Sequence, residues 1–263
     1  MATQTVGPGT LSPAVKRQIT NIFALGTVLT INALANILPI NGVTTGEVSD
    51  TFPSLFTPAG YVFSIWGLIY TLLLVFVVYQ ALPSQKDNPR LERLGYWFAL
   101  SCAFNVSWLL AWHYGAIGLS QLLMFGILAS LIVCYLRLGI GEREVSRTEA
   151  LAVHLPFSVY LGWITVATVA NTSITFLNYG VTGGALAPLW TVVAITAATG
   201  VGYLVLRNRR DVAFNLVLVW AFAGIAVKQW GAELLVVIGA LVAAAVVVYL
   251  IVQSLRRRER LAG

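Results

Sequence analysis

The stretch Pro58-Ala59-Gly60-Tyr61-Val62-Phe63-Ser64-Ile65-Trp66-Gly67-Leu68-Ile69-Tyr70-Thr71-Leu72-Leu73-Leu74-Val75-Phe76-Val77-Val78-Tyr79-Gln80-Ala81-Leu82 contains no charged side chain, and the segment after it brings Lys86, Arg90 and Arg93. About 20 apolar residues cross a hydrocarbon core of about 30 Å as a helix. Lipid offers no partner to backbone N–H and C=O groups, so such a run must bond within itself, and it is too long for a barrel strand. Seven similar runs flank it, over residues 18–40, 94–114, 119–138, 149–174, 183–206, 212–230 and 232–255. The expected fold is all-α: a polytopic membrane helix bundle of eight transmembrane helices.

The connecting segments alternate in charge. Lys16 and Arg17, then Lys86 to Arg93, then Arg137, Arg143 and Arg147, then Arg207, Arg209 and Arg210, and finally Arg256, Arg257, Arg258 and Arg260 fall on one side of the threading, while Lys228 stands alone on the other. Cationic loops stay on the cytoplasmic face. The alternation therefore predicts a multi-pass plasma-membrane protein with both termini cytoplasmic and the segment from Asn41 to Thr57 outside.

Composition agrees. The chain is 58% hydrophobic and 10% charged, with mean hydropathy +0.83, against about 25% charged residues in a soluble domain. A formal charge of +6 is explained by loop orientation and anionic lipid headgroups rather than nucleic acid. Cys102 and Cys134 sit inside apolar runs and read as small hydrophobes, not as a disulfide or metal motif. Ala33-Leu34-Ala35 resembles a signal-peptide cleavage site, but the apolar run continues to Ile40, which favours a retained first helix.

The loop from Asn41 to Thr57 is long for a membrane bundle and mixes Gly42, Gly46, Glu47, Asp50 and Pro53 with Phe52, Leu55 and Phe56. It reads either as a lid or as a connector dipping into the interface. Three helices carry polar-aromatic stripes at helical spacing: Phe63, Trp66 and Tyr70 in the second; Trp97, Ser101, Phe104 or Asn105, Trp108 and Trp112 in the third; Tyr160, Trp163, Ala167 and Asn171 in the fifth. The alternating topology brings these stripes to one depth beneath the loop, where they would form a cavity for an apolar ligand. Interfacial anchoring is the competing reading for the aromatics, and it suits Trp97, Trp112, Tyr114 and Trp230; interhelical bonding is the competing reading for the asparagines.

Residues 56–70, Asn105-Val106-Ser107-Trp108, and Leu155 to Trp163 continuing through Val169-Ala170-Asn171 together resemble the TspO/MBR family, the tryptophan-rich sensory proteins related to the translocator protein. That family has Pro-Pro-x-Trp-x-Phe-x-x-x-Trp-x-x-x-Tyr in its second helix; here Thr57 replaces the first Pro and Tyr61 the first Trp. The resemblance implies a five-helix core over residues 18–178, between a tail at 1–17 and a three-helix extension at 179–255 without family counterpart, with a basic tail at 256–263. It further implies a cavity under the first loop, associated with sensing, transport or breakdown of tetrapyrroles. Pro58, Tyr61, Phe63, Trp66, Asn105, Trp108, Tyr160, Trp163 and Asn171 would line or brace that cavity, with Tyr70 extending its stripe. A porphyrin or other tetrapyrrole is the implied ligand, and no cofactor is required.

Other chemistry has little support. His113 and His154 fall about 20 Å or more apart in depth at about 1.5 Å rise per residue, too far to share a metal. The carboxylates sit in loops or at helix ends, so no intramembrane relay is readable. Ser64 and Ser107 have no neighbouring base, and conventional catalysis is not expected. Lys228 can snorkel, pair with Glu233 or meet a ligand carboxylate. The Ala243-Ala244-Ala245 run and the pair Gly200 and Gly202 suit scaffolding or oligomer contact, such as a homodimer. The expected function is a membrane protein binding a hydrophobic aromatic molecule for sensing or transport. The alternatives are an uncoupled small-solute facilitator and a structural or assembly protein.

Overall fold

The computed structural model describes residues 11–262, with side chains through Arg256. Residues 1–10 of the expected N-terminal tail, and the side chains of Arg257, Arg258 and Arg260 in the basic tail, lie outside the described residues. All regular structure among the described residues is helical. In chain order the helices are α1 (Pro13–Ile37), α2 (Thr45–Asp50), α3 (Ile65–Ala81), α4 (Pro89–Leu94), α5 (Trp97–His113), α6 (Ile117–Leu138), α7 (Arg147–Glu149), α8 (Leu155–Asn178), α9 (Ala187–Arg209), α10 (Val212–Gln229) and α11 (Leu234–Ala262). A 3-10 turn, Gly60–Ser64, leads into α3, and a π-helical stretch, Ala150–His154, joins α7 to α8.

Seven helical segments are long and apolar enough to cross a membrane. The remaining long helix, α5, has 17 residues and rises about 26 Å. Its apolar sequence extends further than the helix does, because Gly95 at φ 60° and Gly115 at φ 69° turn the chain just outside each end. Left-handed backbone of this kind ends a helix and is open to glycine without steric cost.

The helices alternate in direction, and contacts between successive loops mark two ends. At the cationic end the Arg90 guanidinium pairs with Glu149, Arg209 pairs with Glu142, and Arg137 donates to the Arg93 carbonyl at 3.0 Å while lying 5.5 Å above the Trp97 ring. Gln18 donates to the Gln80 carbonyl at 2.7 Å, tying α1 to α3 there. At the other end the loop after α1 meets the ends of α5 and α10. The three aromatic stripes therefore do share one depth.

Between these ends Phe76, Phe98 and Phe157, each fully buried, pack edge to face with centroids 4.9 to 5.8 Å apart. Such rings contribute dispersion and quadrupole attraction beyond the area they bury. They fill the space among the C-terminal half of α3 and the first turns of α5 and α8, on the cationic side of Trp66, Trp108 and Trp163.

Residues 179–255 are not a detached extension; α10 is built into the core. A Cβ on Gly162 of α8 would lie 2.9 Å from the Phe214 carbonyl oxygen, and one on Gly224 of α10 would lie 2.1 Å from Val62 Cγ2. Small residues let membrane helices approach this closely, where packing replaces the hydrophobic drive that lipid removes. Gly202, expected to suit scaffolding or oligomer contact, serves internal packing: it seats Asn215 and Leu218 of α10, with a Cβ there falling 2.6 Å from each.

Candidate functional site

The loop between α1 and α3 folds as a lid. Asn41 adopts left-handed backbone at φ 55° and donates from Nδ2 to the His113 carbonyl at 3.0 Å. Thr44 and Glu47 form a reciprocal cap on α2: the Glu47 N–H donates to Thr44 Oγ1 at 3.3 Å, and the Thr44 N–H donates to the Glu47 carboxylate at 2.7 Å. That N–H holds the Glu47 carboxyl below its ordinary range. The Trp112 indole donates to the Thr45 carbonyl at 3.2 Å, Phe56 is fully buried, and Gln229 of α10 donates to the Leu55 carbonyl at 3.2 Å. Lys228 pairs with Asp50 of the lid at 3.1 Å rather than with Glu233, because the lid crosses the end of α10.

Two adjoining chambers with shared lining residues lie beneath it. The inner one, about 50 Å³, is walled by Trp66, Trp108, Trp112, Trp163, Thr57 and Asn171 among others. The outer one, about 640 Å³, opens between α1, α3 and the lid, where Asn32, Asn36, Asp50 and Tyr70 join the wall. Thr45, Phe63, Trp66 and Trp108 border both. Trp66 is the hub: it stacks on Tyr70 at 5.4 Å and meets Tyr160 and Trp163 edge-on at 6.1 and 6.2 Å. Phe63 meets Trp163 at 5.8 Å, and Trp108 stacks on Trp112 at 5.9 Å.

The residues expected from sequence divide into three groups. Pro58, Phe63, Trp66, Trp108, Trp163 and Asn171 line the inner chamber, and Tyr70 lines the outer one. Asn105 and Tyr160 lie behind the wall as braces, where the Asn32 amide donates to Asn105 Oδ1 at 3.1 Å and Asn105 donates to the Tyr160 hydroxyl at 3.4 Å. Tyr61 lies outside: it is half exposed and packs edge-on against Trp220 of α10 at 5.5 Å. Tyr61 and Phe63 are two residues apart in the 3-10 turn and so point to different sides of it, Phe63 to the chambers and Tyr61 to α10.

The amides are largely committed within the protein. Asn171 Oδ1 accepts from the Trp108 indole at 3.1 Å, and its amide N–H groups donate to Gln121 at 2.8 Å and Ser120 at 3.3 Å. The two asparagines thus hold α1, α5, α6 and α8 together, the interhelical bonding that is the competing reading of their sequence positions. In lipid an unpaired amide is costly, so each finds a partner. The polar groups left over on the inner chamber are different ones: Trp163 Nε1 and Thr57 Oγ1 have no hydrogen-bond partner among the described residues, although their residues are 2% and 1% exposed and border that chamber.

Several residues that wall or support the chambers were not among the site candidates read from sequence. Trp112 reads as an interfacial anchor, but it is buried and ties down the lid. Asn32 sits in the first helix, which shows no aromatic stripe, although an asparagine in an apolar run was itself a signal. Gln121 and the lid residues Thr45 and Ser49 carry no distinguishing pattern. Tyr114 and Trp230 remain strongly exposed, as an interfacial belt requires. His113 and His154 lie on opposite ends of the bundle, and among the described residues no three His, Cys, Asp or Glu side chains converge.

No curated relative and no solved structure matches the chain. A family model described as TSPO-like protein matches residues 18–253, which takes in the last three helices as well as the first five; the chain belongs to the TSPO-like family.

Proposed function

We propose that this membrane protein binds a flat, hydrophobic ligand of the porphyrin or tetrapyrrole class under its lid, for sensing or transport and without turning it over. The observation that carries the reading is the two buried, unpartnered groups that border the inner chamber, the Trp163 indole N–H and the Thr57 hydroxyl. A buried donor without a partner costs about 1–3 kcal/mol, and a carbonyl or carboxylate on a ligand would satisfy either. Volume divides the work. The outer chamber falls within the range of about 300–1,000 Å³ typical of ligand sites, whereas the inner one admits only a substituent. The macrocycle would lie against Trp66, Tyr70 and Phe63, with one polar arm reaching inward.

A facilitator needs a polar route to both faces, and the Phe76, Phe98 and Phe157 cluster favours binding over passage. The native orientation we infer puts both termini in the cytoplasm and the lid outside. The test is quenching of tryptophan fluorescence in the detergent-purified protein by protoporphyrin and by its dimethyl ester, in wild type, Trp163→Phe and Thr57→Val. Saturable quenching that weakens about tenfold in either variant, the equivalent of one hydrogen bond, is expected. Unsaturable quenching, or equal affinity in all three proteins, would overturn the reading.

A further inference from the structure

At the far, cationic end of the bundle, a second cleft of about 530 Å³ opens between the end of α9 and the last turns of α11. Its polar lining comes from Arg207, Arg210, Gln253, Ser254 and Tyr203, while Leu206 and Leu250 form its apolar side. Arg207 lies in the last turn of α9 and Arg210 is the residue that caps it, and both border the cleft. Neither takes part in an ion pair or side-chain hydrogen bond among the described residues, whereas Arg209 between them turns away to Glu142 and the Ile140 carbonyl. The nearest carboxylate in sequence, Asp211, is buried and engaged elsewhere, accepting from the Tyr135 hydroxyl at 2.8 Å and the Phe214 N–H at 3.0 Å. Gln253 donates to the Tyr249 hydroxyl, and Arg256 follows one turn later on the same face.

The backbone adds an independent sign. Arg210 ends α9 in the left-handed region at φ 53° and ψ 31°, where a side chain is disfavoured and glycine is the usual occupant. At the same end of the bundle α6 stops in that conformation on Gly139. An arginine in the strained position holds its guanidinium at the mouth of the cleft beside Arg207.

We propose that this cleft binds the phosphate of an anionic membrane lipid, with Arg207 and Arg210 on the phosphate oxygens and an acyl chain along Leu206 and Leu250. Guanidinium forks match phosphate oxygens in geometry as well as charge, and basic pockets between membrane helices at a cytoplasmic surface suit acidic headgroups. The apolar side favours a lipid over a soluble phosphate. The inference uses none of the residues of the lidded chamber and stands or falls apart from it.

The test is native mass spectrometry of the full chain in detergent, titrated with dioleoyl phosphatidic acid, dioleoyl phosphatidylcholine or inorganic phosphate. Wild type should retain phosphatidic acid saturably and in preference to phosphatidylcholine, and inorganic phosphate should not displace it. R207Q/R210Q should weaken retention on the order of tenfold, while R143Q/R147Q, which removes equal charge from the same end, should leave it nearly unchanged. Arg210→Gly separates binding from folding: it relaxes the backbone, so thermal stability should hold or rise while lipid retention falls. Equal losses in the two double variants would reduce the effect to general surface charge and overturn the site. Full displacement by inorganic phosphate would overturn the lipid assignment, and undiminished retention in Arg210→Gly would overturn the role of that residue.

Discussion

Gly224 gives the sharpest mutational prediction, because its surroundings fix both the sign and the size of the effect. A methyl group there would fall 2.1 Å from Val62 Cγ2 and 3.2 Å from Pro58 Cβ, and Val62 is fully buried. The backbone on both sides is tied: the Ala59 N–H donates to the Gly224 carbonyl at 3.1 Å, and the Trp220 indole donates to the Val62 carbonyl at 3.1 Å. Neither partner can retreat without breaking a hydrogen bond. Overpacking of this kind costs about 1–3 kcal/mol, while alanine gains up to about 1 kcal/mol over glycine in helix propensity. A contact as short as 2.1 Å falls at the upper end of that cost, so Gly224→Ala should lose about 2 kcal/mol net, read as the midpoint shift in reversible unfolding by SDS followed through tryptophan fluorescence. Val62→Ala alone should lose a similar amount, since two buried methyl groups are worth about 0.8 kcal/mol each. The double variant should be more stable than the sum of the two losses implies, by about 1 kcal/mol or more, because the new methyl occupies the space that valine vacates. Strict additivity, or a Gly224→Ala protein as stable as wild type, would refute the claim that α10 packs directly against the 3-10 turn that leads into α3.

Other outcomes follow from the same contacts. Asn171→Leu strands the Trp108 indole and the Gln121 carbonyl oxygen, so it should cost about 1–3 kcal/mol in the same unfolding assay; a neutral result would mean that this amide braces nothing. Lys228→Gln removes a half-exposed pair worth at most about 1 kcal/mol, and should raise amide exchange in residues 45–56 at low salt with little effect on global unfolding. Glu47 supplies the pH prediction. Its carboxyl is depressed in the folded lid, so the cap contributes fully above the ordinary glutamate range and is lost as pH falls through the lowered value. Protection of the α2 amides should fall with acid in wild type and become flat in Glu47→Gln; an unchanged acid response in that variant would locate the titrating group elsewhere.

The sequence was most legible where physics leaves few choices. Long uncharged runs in lipid must be helices, and the expected spans agree with the observed helices to within a few residues at most ends. The exceptions, such as α1 starting at Pro13 rather than 18, come from capping by the Ser12 hydroxyl on the Val15 N–H, which a hydropathy window does not detect. Alternation of charge gave the threading, and the threading gave the shared depth of Trp66, Trp108 and Trp163. Partnership was harder to read. The family resemblance implies Tyr61 at the cavity, but it lies in a 3-10 turn and packs on Trp220. An asparagine in an apolar run signals a buried amide without saying whether it faces a ligand or another helix, and here Asn105 and Asn171 chose neighbours. The role of the last helices was illegible because Gly162 and Gly224 are informative only once the opposing backbone is known.

The central claim is that the space beneath the lid, and no lipid-facing groove, holds the ligand. The most direct measurement is photo-crosslinking of the reconstituted protein with a diazirine-bearing porphyrin, followed by mass spectrometric mapping of the modified residues. Adducts on Trp66, Trp108 or the segment from Thr45 to Thr57, competed away by unlabelled porphyrin, are the predicted result. Competable adducts confined to exposed positions such as Trp190 or Trp230 would contradict it.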